Sequence, residues 1–437
     1  MPVNKAREKV NDFLIRYNMH YDCIDFDESC SEFIKDMEAG LEGKESSLMM
    51  LPTYISMEKE IPADEPIIVM DAGGTNFRVA VVCFDKDRKA VIEDFKLFSM
   101  PGTKGEIGRE ELFSTIAEYM KPVLGKSNKI GFCFSYPTEV HANRDGKLIS
   151  FSKEVKVRDV EGLFIGENLI KTIKQMGYSG DKSIVLLNDT VATLLGGRAF
   201  HPDRSFDGYM GFILGTGTNT CYIEENRNIR KIPELKNSAG SMLINMESGT
   251  YSKIPRGKFD IEFDNSTKNP GKYAFEKMMS GAYQGGLTLT VIKGAIEEGL
   301  FSGDFALRAK GFKELASKEI DDFLLYPYGD NVLAKLCADD SDRLVLYYLI
   351  DAIFERAAKL VAVNLTAVMM KTGKGTNPCS PVCITAEGTT FYKSRLFKIK
   401  LDHYIRTFTN DKKSLYCEFV KAENTTLIGT AIAGLLN

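Results

Sequence analysis

Long apolar runs are missing from this chain. The longest, Leu427 to Leu436, is about half of the roughly 20 residues that a membrane span requires. The opening residues, MPVNKAREKVNDFLIRY, alternate charge with apolar positions and lack the apolar core of a signal peptide. They read instead as an amphipathic helix with Val10, Phe13, Leu14 and Tyr17 on one face. Long basic runs are missing as well. With 56 Lys and Arg against 60 Asp and Glu, the net charge is −4, which gives no electrostatic support for binding nucleic acid or an acidic membrane. Histidine is scarce, at four residues, and the nine cysteines are scattered from Cys23 to Cys417 without a C-x-x-C. A zinc site has little material, and the cysteines read as reduced, buried thiols of a cytosolic protein. Glycine and proline, 37 and 14 of 437 residues, fall far below the roughly 25–30% of low-complexity disorder.

What is present is a soluble, globular composition, 44% apolar and 27% charged, on a chain long enough for two large lobes or three small units. A second helical stripe, Cys30, Phe33, Ile34 and Met37, runs toward a stop at Gly40. The run PIIVMDAGGTNFRVAVVCF reads as strand, glycine turn, strand. A helix is expected around Leu112, Ile116 and Met120, then a strand at KIGFCFSYP. KSIVLLNDTVATLLGG reads as a buried strand entering a helix capped near Asn188 to Thr190. GYMGFILGTGTNTCYIE repeats the strand, glycine turn, strand pattern, and PVCITAEGTTFY is a third strand–turn unit. Between the second and third, a long helix is expected over 342–371 with Gly373 as its cap.

Two motifs carry chemistry. Asp71-Ala72-Gly73-Gly74-Thr75-Asn76 and Gly215-Thr216-Gly217-Thr218-Asn219 each place backbone N–H groups and hydroxyls in a tight turn between strands, as an anion site requires. Either one alone is most simply a hairpin turn. Two together, with Asp71 ending the first strand, point to one phosphate-handling device in two copies. The Walker P-loop is excluded: Gly125-Lys126-Ser127 matches its tail, but Met120 stands at the first glycine and Pro122 lies inside the loop. Asn188-Asp189-Thr190 supports two readings, a helix cap or a catalytic carboxylate at the carboxyl end of a buried strand. Ser135, Lys153, Asn219, Glu247 and Glu276 are, singly, ordinary polar positions.

Several blocks in a fixed order lift these signals together: MLPTYI (Met50 to Ile55), DAGGTNFR (Asp71 to Arg78), FSYP (Phe134 to Pro137), NDTVATL (Asn188 to Leu194), LGTGTN with CYIE (Leu214 to Glu224), INME (Ile244 to Glu247) and NPGKYAFEKMMSGAY (Asn269 to Tyr283). In these the chain resembles the hexokinase family, of the single-unit type near fifty kilodaltons, over nearly its whole length. The resemblance implies an α/β protein of two lobes with the ribonuclease-H-like fold shared with actin and heat-shock ATPases, and a sugar/ATP cleft between them. The small lobe would comprise 61–198 joined by the last helix, 428–437; the large lobe would comprise 1–60 and 199–427. It implies ATP-dependent phosphorylation of a hexose, D-glucose first, at the 6-hydroxyl, feeding glycolysis in the cytoplasm. The protein would be a monomer or homodimer, without nucleic-acid or membrane partners.

The same resemblance assigns roles. Asp189 would be the general base, with Lys153 and Arg78 supporting catalysis. Ser135, Ser152, Lys153, Asn188, Asp189, Asn219, Glu247 and Glu276 would contact the sugar. Asp71, Gly73, Gly74, Thr75, Asn76, Gly215, Thr216, Gly217, Thr218, Gly388 and Thr389 would hold the nucleotide, with Mg²⁺ carried by ATP near Asp71 and no direct protein metal site. The chain departs from the family pattern at Ser152 (usually Thr), at Glu154-Val155 (usually Gly-Phe) and at Ser248 (usually an aromatic). It departs further at Tyr273 (usually Gln), Gly286 (usually Glu), Glu387 (usually Asp) and Thr425-Thr426-Leu427 (usually Gly-Ser-Gly).

Overall fold

The computed structural model describes residues 2–151, 155–178, 180–200 and 204–437. Its strands are β1 (Leu51–Pro52), β2 (Ile67–Gly73), β3 (Asn76–Phe84), β4 (Ala90–Ser99), β5 (Lys129–Phe134), β6 (Thr138–Val140), β7 (Gly146–Leu148), β8 (Ser183–Leu187), β9 (Gly208–Leu214), β10 (Thr218–Glu225), β11 (Ser241–Asn245), β12 (Val382–Glu387) and β13 (Cys417–Val420). One sheet has the order β4-β3-β2-β5-β8. The other has β11-β10-β9-β12-β13, extended at its edge by β1. In both, the first three strands in sequence are antiparallel and the next two add in parallel. One topology therefore occurs twice, as the paired glycine turns anticipate. A small hairpin of β6 and β7 accompanies the first sheet.

Strand periodicity sorts the small-lobe core. Ile68, Met70 and Ala72 point to one face, where they pack on the helices Arg109–Met120 and Ile165–Gln175 through Leu112, Ile116, Leu169 and Ile173. Ile67 and Val69 point to the other, against Val191, Leu194 and Leu195 of helix Asp189–Phe200 and Leu427, Ala431 and Ile432 of the C-terminal helix Thr425–Leu436. The large-lobe core is assembled around helix Asp340–Thr372, which is buried on most of its circumference and closed by Gly373 in the left-handed conformation.

The first helix is Val3–Arg16, with Val10, Phe13 and Leu14 buried as expected and Tyr17 at its C-cap. The second helix runs past the expected stop. Gly40 lies inside Phe26–Glu42, and Gly43 (φ +72°) is the cap. Gly40 serves packing instead, since a Cβ there would meet the Met50 side chain at 2.6 Å. All nine cysteines are free thiols. Five are buried as expected; Cys23, Cys83 and Cys417 are only partly buried, and Cys379, in the connection before β12, is exposed. No helix among the described residues is long and apolar enough to cross a membrane.

Candidate active site

The polar residues singled out in the sequence gather at one end of both sheets. Asp71 lies near the end of β2, Ser135 just after β5, Asn188 just after β8, Gly215 just after β9 and Gly388 just after β12. These are carboxyl ends of strands, where open α/β sheets leave a crevice.

The first turn is a two-residue hairpin: Gly73 pairs with Asn76, leaving Gly74 and Thr75 at its exposed tip. Gly74 has φ +57°, a conformation that costs glycine little. The Tyr136 hydroxyl donates to the Gly74 carbonyl at 3.2 Å and holds the turn beside β5. Arg78, opposite Asp71 in the ladder, donates to its Oδ2 at 2.7 Å. The second turn is longer by one residue, with Leu214 pairing Thr218 across Gly215-Thr216-Gly217. Thr216 is exposed, but Thr218 is turned inward: its hydroxyl donates to the Ile213 carbonyl and its N–H to Glu276. The two phosphate-turn candidates thus share a topology but not a backbone geometry.

Asn188 and Asp189 divide the work that the sequence left ambiguous. Asn188 Oδ1 accepts from the Thr190 N–H at 2.9 Å and its carbonyl receives the first helical bond, from Ala192, so Asn188 is the cap. Asp189 is the first helical residue, and its carboxylate is left to accept from the Thr190 hydroxyl at 3.2 Å. Burial raises its pKa, and the Asp71 carboxylate raises it further against hydrogen bonds from Thr190 and Ser135.

From the large lobe, Asn219 on β10 donates to Asn245 at 2.7 Å and to Glu247 at 3.3 Å, and Asn245 donates to Glu247 at 2.8 Å. Glu247 holds the left-handed conformation (φ +53°), unusual outside glycine. Its pKa is raised by burial and by Asp189, while the amides of Asn245 and Asn219 oppose the shift. Glu276, on the single-turn helix Ala274–Lys277, accepts from the Thr218 N–H at 3.0 Å. Gly217 and Gly249 make room for it: a Cβ on either would approach Glu276 Oε2 at 2.5 and 3.1 Å. Burial chiefly, with Glu247 adding, pushes the Glu276 carboxyl up to about 7. A small cavity has Asn188 and Tyr136 on one wall and Thr53, Asn245 and Glu247 on the other, so both lobes line it. Ser152 and Lys153 lie outside the described residues.

Beyond the second turn is a cavity of about 450 Å³, lined by Gly215, Thr216, Thr389, Leu325, Phe354 and Phe397 among others. Gly388 (φ +119°) lets the two loops meet, because a Cβ there would lie 2.2 Å from the Leu214 carbonyl oxygen. Thr390 donates to the Gly215 carbonyl at 2.9 Å and locks them together. Among residues the sequence reading did not single out are Asn245, Thr390 and Tyr136. Asn245 and Tyr136 stand inside quoted blocks, yet nothing local marks an amide or a phenol as part of a site.

Several departures from the family pattern have structural counterparts. Ser248 is buried, with its hydroxyl 3.1 Å from that of Thr220. Gly286 faces Phe263, whose ring would lie 2.5 Å from any Cβ there, so a larger residue would have to displace that ring. Glu387 and Thr425, both atypical, meet: the Thr425 hydroxyl donates to the Glu387 carboxylate at 2.5 Å. Tyr273 (φ +56°) stands beside Glu247 and Glu276, whose charges, after burial, raise its pKa.

Known proteins resemble this chain over nearly its whole length. Residues 14–199 match one hexokinase family model and residues 209–436 a second. Hexokinase-1 of Arabidopsis thaliana is 28% identical over 428 residues, covering 91% of this chain and 85% of that protein. Hexokinase-2 of Homo sapiens is 30% identical over 423 residues, covering 91% of this chain and 45% of that protein, so the chain spans about half of its length. Among solved structures, hexokinase from Schistosoma mansoni complexed with glucose superposes with a TM-score of 0.77 at 24% identity, over all of both chains. A second hexokinase crystal structure gives 0.76 at 21% identity over 99% of both. These likenesses establish the two-lobed fold, and with the two family models they place the chain in the hexokinase family.

Proposed function

We propose that the protein transfers the γ-phosphoryl group of ATP to the 6-hydroxyl of a hexose, D-glucose first among them, in the manner of a glycolytic enzyme. What supports this reading is a buried carboxylate, Asp189, close enough to Glu247 to raise its pKa, with Glu247 held by Asn219 and acting in turn on Glu276. Carboxylates accept from sugar hydroxyls and amides do both, so such a set holds a polyol and rejects ligands that leave it unpaired. Ser135, Asn188 and, outside the described residues, Ser152 and Lys153 complete the proposed sugar site.

Asp189 accepts the proton of the attacking hydroxyl; its raised pKa makes it a better base than an exposed aspartate. Phosphoryl transfer otherwise depends on positioning and charge stabilisation. In this reading the turns Gly73 to Asn76 and Gly215 to Gly217 hold the phosphates, Arg78 offsets their charge and Gly388 and Thr389 border the adenosine. The cavity beside Thr216 has the size and mixed apolar–polar lining of a nucleoside site. Asp71, whose Oδ2 accepts from Arg78, sets a carboxylate beside the first turn, and this suits an oxygen-preferring ion carried chiefly by the nucleotide. Mg²⁺ bound with ATP beside Asp71 would supply neutralising charge to the phosphates.

The competing function on this fold is an ATPase without a sugar acceptor. ATP consumption measured with and without a panel of hexoses separates the two. The proposal expects strong stimulation by at least one hexose, and no stimulation by any of them overturns it.

A further inference from the structure

Asn245, which no assignment includes, bonds two residues of the proposed sugar site, Asn219 and Glu247. It ends β11, is 5% exposed, and its amide is spent in both directions: Oδ1 accepts from Asn219 Nδ2 at 2.7 Å, and Nδ2 donates to Glu247 Oε1 at 2.8 Å. Asn219 is fixed in turn, because its own Oδ1 accepts from the backbone N–H groups of Thr220 at 2.7 Å and Ser248 at 3.3 Å. With that orientation set, Asn219 can present only its amino group to Asn245 and Glu247. The chain of bonds continues into the core: the Ser248 hydroxyl lies 3.1 Å from that of Thr220, which accepts from Asn364 Nδ2 at 2.7 Å on the long helix Asp340–Thr372.

Glu247 needs such a restraint. It sits in the left-handed backbone conformation at the end of β11, with Asp189 facing it across the cleft and Glu276 and Tyr273 beside it. Its Oε1 is taken by Asn245 and Asn219, which leaves Oε2 for a ligand. A donor on Oε1 favours the ionised form, the form able to accept from a sugar hydroxyl.

We propose that Asn245 is a positioning residue for sugar binding, which fixes the rotamers of Asn219 and Glu247 and leaves one Glu247 oxygen free for the hexose. The inference rests on the hexose-kinase reading of the same site. Asn245 acts through these two side chains, and among the described residues its side chain makes no hydrogen bond to Gly73 to Asn76 or to Gly215 to Gly217.

Asn245→Asp is the informative variant. It is nearly isosteric, keeps the acceptor for Asn219, and sets a second carboxyl against Glu247. Two carboxyls at hydrogen-bond distance share one proton, so the bridge survives only while that proton is held. The hexose KM of the variant is expected to rise between about pH 6 and about pH 8, reaching about 10- to 100-fold above wild type, the span of losing a hydrogen bond to a charged group. The ATP KM should stay unchanged.

Asn245→Ser, which removes the bridge without adding charge, raises the hexose KM at every pH and serves if the first variant does not fold. A hexose KM unchanged in both variants, or one that rises equally with the ATP KM and without a pH slope, overturns the inference. A wild-type protein that phosphorylates no hexose overturns the functional reading instead.

Discussion

Asp189 and Asn188 are neighbours with separable duties, and that separation makes the base assignment testable. The cap bond to Thr190 belongs to Asn188, so Asp189→Asn leaves the helix start intact. The variant should keep the wild-type melting temperature and measurable hexose binding, while turnover drops at least about 10²-fold, because a neutral amide cannot take a proton. Turnover measured beside thermal unfolding with and without glucose checks both halves. Glu276 gives a second residue-level prediction. Its carboxyl is raised from an ordinary 4.5 to about 7, so the folded protein holds a proton that the unfolded chain releases. Its contribution to stability is therefore full below about 4.5 and is lost as pH rises through about 7. In Glu276→Gln that dependence disappears, and the difference in melting temperature between about pH 5 and about pH 8 should shrink. An unchanged difference would mean that this carboxyl is not held neutral.

At the scale of elements, the C-terminal helix Thr425–Leu436 crosses helix Asp189–Phe200 at glycines on both sides. A Cβ on Gly429 would lie 1.8 Å from the Ala192 carbonyl oxygen, and one on Gly196 would lie 2.5 Å from that of Thr425. Gly429→Ala must push apart the helix that carries Asp189 and the one that supports β2 and β5. It should destabilise by about 1–3 kcal/mol, the ordinary cost of overpacking, read as a lower denaturant midpoint.

Elements of this kind were legible in the sequence where pattern is local. The strand–turn–strand units at Asp71 and Gly215, the long helix with its Gly373 cap and the first amphipathic helix all follow from periodicity and punctuation. What periodicity could not supply is contact between distant segments. Gly40 reads as a stop but is a packing glycine against Met50, and the left-handed Glu247 follows from no local rule. Asn245 is an unremarkable amide until β10 lies beside β11. Lys277, next to Glu276 on a single turn of helix, is drawn inward because it pairs with Asp264 and the Asn269 carbonyl.

For the whole molecule, the proposed sugar contacts come from two lobes: Ser135, Asn188 and Asp189 from one, Asn219, Glu247 and Glu276 from the other. A ligand gripped from both sides favours the closed form through its differential contacts. Closure also excludes water, a competing phosphoryl acceptor. Small-angle scattering should show a smaller radius of gyration at saturating glucose. An unchanged profile would contradict lobe closure about the boundaries 61–198 and 199–427. Activity should require Mg²⁺ and vanish in excess chelator, with negligible zinc in the purified protein; stoichiometric zinc would contradict a nucleotide-carried ion.

The central claim is a bond formed between the γ-phosphorus of ATP and the 6-oxygen of a hexose. Phosphorus–proton correlation spectra of the reaction products, with the full chain, Mg²⁺, ATP and glucose, read that bond directly. The account predicts a phosphate coupled to the two protons at carbon 6, accumulating in step with ADP. ADP accompanied only by inorganic phosphate, or an ester at another carbon, would contradict it.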